Sequence, residues 1–114
     1  MKETPLHSKH IENGAKMTTF GGWDMPLKFT SINNEHGEVR NSVGIFDVSH
    51  MGELILEGDG ALEFMSKHCT QDVTKSKVNQ LKYAHILNEE GGIIDDTIVT
   101  KLSDESCYIV PNAG

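Results

Sequence analysis

Asp95 and Asp96 stand side by side in Gly91-Gly92-Ile93-Ile94-Asp95-Asp96-Thr97-Ile98-Val99-Thr100, the most strand-like stretch of the chain. Successive side chains on a strand face opposite ways, so the two carboxylates are expected in different surroundings. A carboxylate fixed on stiff backbone and partly withdrawn from water suits acid–base or charge-stabilising chemistry. Alternation groups Asp96 with Ile94 and Ile98, and Asp95 with Thr97 and Lys101, the more solvated set. Asp96 is therefore the candidate for the unusual environment and Asp95 a structural residue. The plain alternative is a strand end with both acids in water.

Other groups carry less chemistry. His7 and His10 can share one helix face, but no partner pair at a matching spacing completes a zinc site, so they read as a solvated helix surface. His36 falls on an apolar stripe and reads as a hydrogen-bonded core histidine. His68 complements a helix C-terminus. Asp47, Ser49 and His50 lie too close in sequence to form a hydrolase triad, whose members come from separate segments. Asp47 and Ser49 instead suit a hydrogen-bonded corner, and Met51 beside them is core filler or the soft wall of a flat ligand site. Gly21-Gly22 and Gly91-Gly92 lack the spacing of a dinucleotide fingerprint or a phosphate loop.

The 114 residues amount to one small domain or a piece of a larger one. A net charge of −7 argues against nucleic acid or an anionic membrane as the main partner. No apolar run is long enough to cross a bilayer, and the first residues have no signal-peptide character. Cys69 and Cys107 read as buried reduced thiols, which points to the cytoplasm. The final residues, Val110-Pro111-Asn112-Ala113-Gly114, follow a strand with no closing helix, as in a chain cut short. Missing strands would leave edges prone to association.

These residues need elements to position them. Thr4 and Pro5 suit the N-cap and first turn of a short helix that ends near Gly14. Lys16 to Phe20 and Leu27 to Phe29 read as strands. A second helix runs from Asn33 to Val43, with a stripe of Ile32, His36, Val39 and Val43 and a left-handed Gly44 at its end. Glu53 to Glu57 is a strand with Leu54 and Leu56 inward. A helix from Asp59 or Gly60 places Leu62, Met65 and Cys69 on one side. Lys82–Leu87, Ile93–Leu102 and Cys107–Val110 form an antiparallel meander. The expected division is a helix/turn segment over 1–50 and a β-α-β-β-β segment over 51–114.

Several motifs occur together and in order: Thr4-Pro5-Leu6, Gly14-Ala15-Lys16-Met17, Phe20-Gly21-Gly22-Trp23-Asp24-Met25-Pro26, Val39-Arg40-Asn41-Ser42-Val43-Gly44, Phe46-Asp47-Val48-Ser49-His50-Met51-Gly52, Asn88 through Asp96, and Val110-Pro111-Asn112-Ala113. The ordered set closely resembles the N-terminal third of the glycine cleavage system T-proteins, which are aminomethyltransferases. It covers essentially the whole chain. Pro111 departs from the pattern, because the family usually keeps an amide N–H there.

The resemblance implies an α+β fold: an antiparallel sheet with flanking helices, the N-terminal part of a multi-domain folate-binding architecture whose later domains lie outside this chain. It implies transfer of a one-carbon unit from the aminomethyl-lipoyl arm of the H-protein to tetrahydrofolate, with release of ammonia. The second aspartate of the Ile93-Ile94-Asp95-Asp96 run becomes the essential carboxylate, Asp96. Met51, Tyr83, Asp96 and Asn112 become folate contacts, with no metal. Three rivals stand beside it. One is a folate-dependent demethylase or the folate-binding half of a sarcosine or dimethylglycine dehydrogenase. Another is a non-enzymatic folate-binding scaffold of iron–sulfur assembly, which would not be expected to keep the Asp95-Asp96 pair. The third is a plain interaction module.

Overall fold

The computed structural model describes residues 1–113. The chain divides into two compact units, Met1–His50 and Met51–Ala113. It is α+β, with one small and one larger sheet. Among the described residues no helix is long and apolar enough to cross a membrane.

The first unit is more than helices and turns. Strand β1 (Lys2–Glu3) is followed by helix α1 (His7–Glu12), strands β2 (Lys16–Phe20) and β3 (Trp23–Lys28), and helix α2 (Ile32–Asn41). The strands form a three-stranded sheet of order β1-β3-β2, with β1 parallel and β2 antiparallel to β3. Phe20 pairs with Trp23 across Gly21 and Gly22, whose φ values are 54° and 81°. A two-residue hairpin turn matched to strand twist needs positive φ at both central positions, which explains this glycine pair.

Helix α1 starts two residues later than expected. Leu6 is its N-cap, with no side-chain capping bond. The Thr4 hydroxyl instead donates to Asp47 Oδ2 at 2.7 Å. The α1 histidines are not a solvated surface either. His7 Nε2 lies 2.9 Å from Asp24 Oδ2, and His10 Nε2 lies 2.7 Å from Asp47 Oδ2, with side chains only 15% and 12% exposed. Asp47 also accepts from its own turn, from the Ser49 N–H at 3.0 Å. The corner read from the sequence is therefore present, but it also ties the 44–50 segment to α1 and to Thr4. Burial pushes the Asp47 carboxyl up, yet the bonds from His10, Thr4 and Ser49 outweigh it and hold it far below the usual carboxylate range.

Helix α2 has a true cap: Ser31 Oγ accepts from Asn34 N–H at 3.1 Å. Glu35 reaches back to accept from the Phe29 and Thr30 N–H groups at 2.8 and 2.6 Å. Its stripe is not covered: Ile32 and Val39 are exposed, and so is His36, which is no core histidine. Gly44 is not left-handed. A Cβ there would come within 2.6 Å of Val39 Cγ2, so close packing calls for the glycine. Met25 is the buried apolar side chain of this unit, while Ile45 is 99% exposed.

The second unit contains β4 (Leu54–Glu57), α3 (Ala61–His68), a 3₁₀ turn (Val73–Lys75), β5 (Leu81–Leu87), β6 (Ile93–Ser103) and β7 (Ser106–Pro111). The sheet order is β4-β7-β6-β5, antiparallel throughout. As the spacing predicts, Leu62, Met65 and Cys69 share the buried side of α3. They pack with Val73, Ala84, Val99, Cys107 and Ile109, and Leu56 joins them while Leu54 stays exposed. Both cysteines are free and buried, and burial pushes the Cys107 thiol up.

Helix α3 thus covers the face of β6 that carries Asp95, Thr97, Val99 and Lys101. Thr97, Val99 and Lys101 are buried, which reverses the expectation that this was the solvated set. Lys101 is tolerated because Nζ pairs with Asp104 Oδ1 at 2.8 Å and reaches the Thr74 carbonyl at 3.4 Å. The Asp96 face is the open one, with Ile55, Leu81, Tyr83 and Ile98 exposed. Strand parity separates two faces but cannot say which one a helix will cover.

Two local devices fix β5 against β6. Asn88 Oδ1 accepts from the Glu90 and Gly92 N–H groups at 3.1 and 2.6 Å, around a left-handed Gly91. A bulge follows: Ile86 opposes Asp95 but Leu87 opposes Ile93, leaving Ile94 as the additional residue. On the outer edge of β5, Thr70 N–H donates to the His85 carbonyl and His85 N–H donates to Thr70 Oγ1, both at 3.0 Å.

Two stability outcomes follow from these contacts. Leu62→Ala should lower unfolding free energy by about 2–5 kcal/mol, read from the denaturant midpoint at unchanged slope. Asp47→Asn should cost about 2 kcal/mol at neutral pH. Because the folded carboxyl lies below its unfolded value, the wild-type advantage is full above about pH 4 and shrinks as pH falls further. A gap between the two proteins that stays constant down to pH 2 would show that Asp47 does not carry it.

Candidate active site

The β5–β6–β7 register decides which side chains meet. His85 pairs with Asp96, Tyr83 with Ile98, and Thr97 with Pro111. Asp96 therefore has Asn112 opposite it beyond the end of β7, and Tyr83 diagonal to it on β5, both within reach across a sheet. Tyr83 Oη donates to Asp96 Oδ2 at 3.0 Å. Asn112 Nδ2 donates to Asp96 Oδ1 at 2.7 Å. Each oxygen of Asp96 is thus held by one donor, from strands on either side. A carboxylate offers about four lone-pair sites, so acceptor capacity is left for a ligand.

Tyr83 remains 58% exposed, with its ring edge-on to His85 at a centroid distance of 5.2 Å. The bond to Asp96 comes first, then desolvation and the nearby negative charge, in raising the Tyr83 phenol above its ordinary value. The phenol is therefore a neutral donor at pH 7. Its exposed ring offers a flat apolar surface beside an acceptor, the mixture expected of a small-molecule site.

The two aspartates do not sit in separate worlds. Asn112 Nδ2 also lies 2.9 Å from Asp95 Oδ1 and 3.2 Å from the Asp96 carbonyl, and Asn112 N–H donates to Asp95 Oδ2 at 3.0 Å. Asp96 N–H donates to Asp95 Oδ1 at 3.0 Å. The side-chain and backbone bonds from Asn112 hold the Asp95 carboxyl below its ordinary value. Strict alternation would have kept the carboxylates apart. Beside the Ile94 bulge, where twist increases and side chains are re-aimed, one amide reaches both.

Met51 is placed through its neighbour. Gly52 N–H donates to the Pro111 carbonyl at 3.2 Å, and a Cβ on Gly52 would come within 2.9 Å of Pro111 Cγ. This seats the Met51-Gly52 segment beside the residue that precedes Asn112. Continuing the β4–β7 register sets Pro111 opposite Gly52. Opposed residues of such a pair normally exchange two bonds, and proline returns only its carbonyl. The missing N–H thus faces Gly52, not β6, and leaves the Asp96 side of the ladder intact.

The structure brings Tyr83, Asp96 and Asn112 into one hydrogen-bonded cluster and places Met51 one strand end away. His85 shares this face with Tyr83, and its parity along β5 is the sequence signal for it. The link from Asp95 to Asn112 spans two strands and a bulge, which no local pattern reveals.

A family model described as the GCVT N-terminal domain matches residues 6–114. An aminomethyltransferase of Corynebacterium jeikeium (strain K411) is 50% identical over 114 residues, covering 100% of this chain and 29% of that protein. An aminomethyltransferase of Halothermothrix orenii (strain H 168) is 48% identical over 114 residues, covering 100% of this chain and 32% of its own length. The crystal structure of glycine cleavage system aminomethyltransferase T from Bartonella henselae superimposes with a TM-score of 0.94 at 40% identity, over 99% of this chain and 32% of that one. The chain spans about a third of the length of these relatives. It belongs to the GCVT N-terminal domain family.

Proposed function

We propose that this chain is the N-terminal, folate-facing part of a tetrahydrofolate-dependent aminomethyltransferase of the glycine cleavage system. The observation that carries the reading is the Asp96 carboxylate, set on the open sheet face and held by Tyr83 Oη and Asn112 Nδ2. The residues fit a reduced pterin in kind. An exposed aromatic ring suits a flat heterocycle, and carboxylate and carboxamide oxygens suit its N–H groups. When bound, tetrahydrofolate supplies the nitrogen that receives the one-carbon unit.

This chain's residues then have separable tasks. Asp96 accepts a hydrogen bond from the ligand, stabilises positive charge that develops beside it, and is placed to move a proton. Tyr83 supplies surface and keeps Asp96 Oδ2 oriented. Asn112 holds Asp96 Oδ1, and Met51 contributes a polarisable apolar wall. A negative field at the site favours an iminium-like carbon over a neutral one. On this reading the donor is the aminomethyl-lipoyl arm of the H-protein, ammonia is released, and the work is done in the cytoplasm, where the free Cys69 and Cys107 thiols stay reduced.

The aminomethyltransferases among the relatives favour this donor over the methylated amines used by folate-dependent demethylases. The Asp95-Asp96 pair speaks against a scaffold that only binds folate.

Asp96→Asn in a full-length aminomethyltransferase carrying this segment is the decisive substitution. With aminomethyl-lipoyl H-protein and tetrahydrofolate, kcat should fall on the order of 10²–10³-fold while the melting temperature hardly moves. Near-normal turnover would remove Asp96 from the chemistry. Turnover with a methylated amine but not with the H-protein would select the demethylase reading.

A further inference from the structure

Asp95 has no place in the tasks just assigned, yet it accepts more hydrogen bonds than any other group in the cluster. Its Oδ2 accepts from Asn112 N–H, and its Oδ1 accepts from Asn112 Nδ2 and from Asp96 N–H, at 3.0, 2.9 and 3.0 Å. It is anchored on the helix-covered side of β6, in line with buried Thr97 and Val99.

The terminal torsion of an asparagine is broad and roughly two-fold, so the backbone alone does not decide which end of the amide faces a neighbour. Here the neighbours decide. The groups around Asn112 Nδ2 are Asp95 Oδ1, Asp96 Oδ1 and the Asp96 carbonyl, at 2.9, 2.7 and 3.2 Å, all acceptors. A carboxamide nitrogen carries two hydrogens, so one is shared, and the carbonyl end cannot turn inward without facing oxygen. Turning it over would set Oδ1 against two carboxylates.

We propose that Asp95 is a positioning residue that acts on the ligand through Asn112: by gripping both nitrogens of Asn112 it locks the carboxamide with Nδ2 on Asp96 and leaves Oδ1 as an acceptor for an N–H of the bound pterin. This rests on the folate reading above. Asp96 fixes reactivity, and the Asp95–Asn112 pair sets affinity and orientation. An asparagine at 95 cannot replace the carboxylate, because its single oxygen cannot accept all three N–H groups and its NH₂ would face donors.

The test has two arms. In the full-length protein carrying this segment, ¹H–¹⁵N spectra of the Asn112 side-chain amide are compared between wild type and Asp95→Asn. Two separated, slowly exchanging Asn112 signals should collapse toward free-amide positions while the backbone spectrum stays dispersed. Unchanged Asn112 signals overturn the proposal. In the full-length protein, the KM for tetrahydrofolate is measured for Asp95→Asn, Asn112→Ala and the double variant. Asp95→Asn should raise KM about tenfold and lower kcat less than that. It should add almost nothing once Asn112 is already alanine, because both changes remove one device. Additive costs, or a loss confined to kcat, overturn the proposal. If the Asn112 signals respond as expected but wild-type protein does not saturate with tetrahydrofolate, the folate reading itself has failed and takes this one with it.

Discussion

The pairing of β6 with a neighbour on each side is the constraint on which the site depends. Asp96 has no local partner in sequence. It acquires Tyr83 from β5 and Asn112 from beyond β7 because two antiparallel registers intersect at that position. A one-residue slip in either would send the partner to the other face. The devices that prevent a slip lie away from the site: the Asn88 turn, the Ile94 bulge, and the buried Val99 and Ala84 that lock the helix-covered side. The chemistry on one face is therefore positioned by packing on the other.

The two units are stabilised differently. The second has a continuous apolar core between helix and sheet. The first buries little apolar surface and relies on polar ties, of which Asp47 is the most connected, gathering Thr4, His10 and Ser49. A carboxylate with a 2% exposed side chain is tolerable because both of its oxygens accept hydrogen bonds. The sequence distance between Thr4 and Asp47 makes that knot tertiary structure, not a local turn.

What could be read from residues alone follows the range of the interaction. Short-range patterns are legible: the α3 stripe of Leu62, Met65 and Cys69, and the alternation along β6. Parity separates Asp96 from Asp95 but gives the wrong reason for preferring it, since the Asp96 face is the open one. The errors came where a second element decides. Which β6 face is dry depends on where α3 lies. Spacing alone suggests that His7 and His10 are wet, because their carboxylate partners come from β3 and from the segment after α2. Helix periodicity and cap statistics suggest a buried His36 and a left-handed Gly44, but no described element covers that stripe and the chain leaves α2 at Ser42 with φ −144° and ψ −114°, neither helical nor left-handed. Strict alternation takes no account of a bulge, so it does not reveal the link between Asp95 and Asn112.

Strand β5 carries Tyr83 and forms one border of its sheet, where unpaired main-chain groups would invite a foreign strand to dock. The reciprocal bonds between Thr70 and His85 occupy the outward amide and carbonyl midway along that border. An incoming peptide would find no uninterrupted ladder to extend past this point. The arrangement interrupts the rim at His85 and leaves the Tyr83 ring exposed. A residue outside the sheet thus occupies part of the rim while the aromatic surface stays open to a small planar guest.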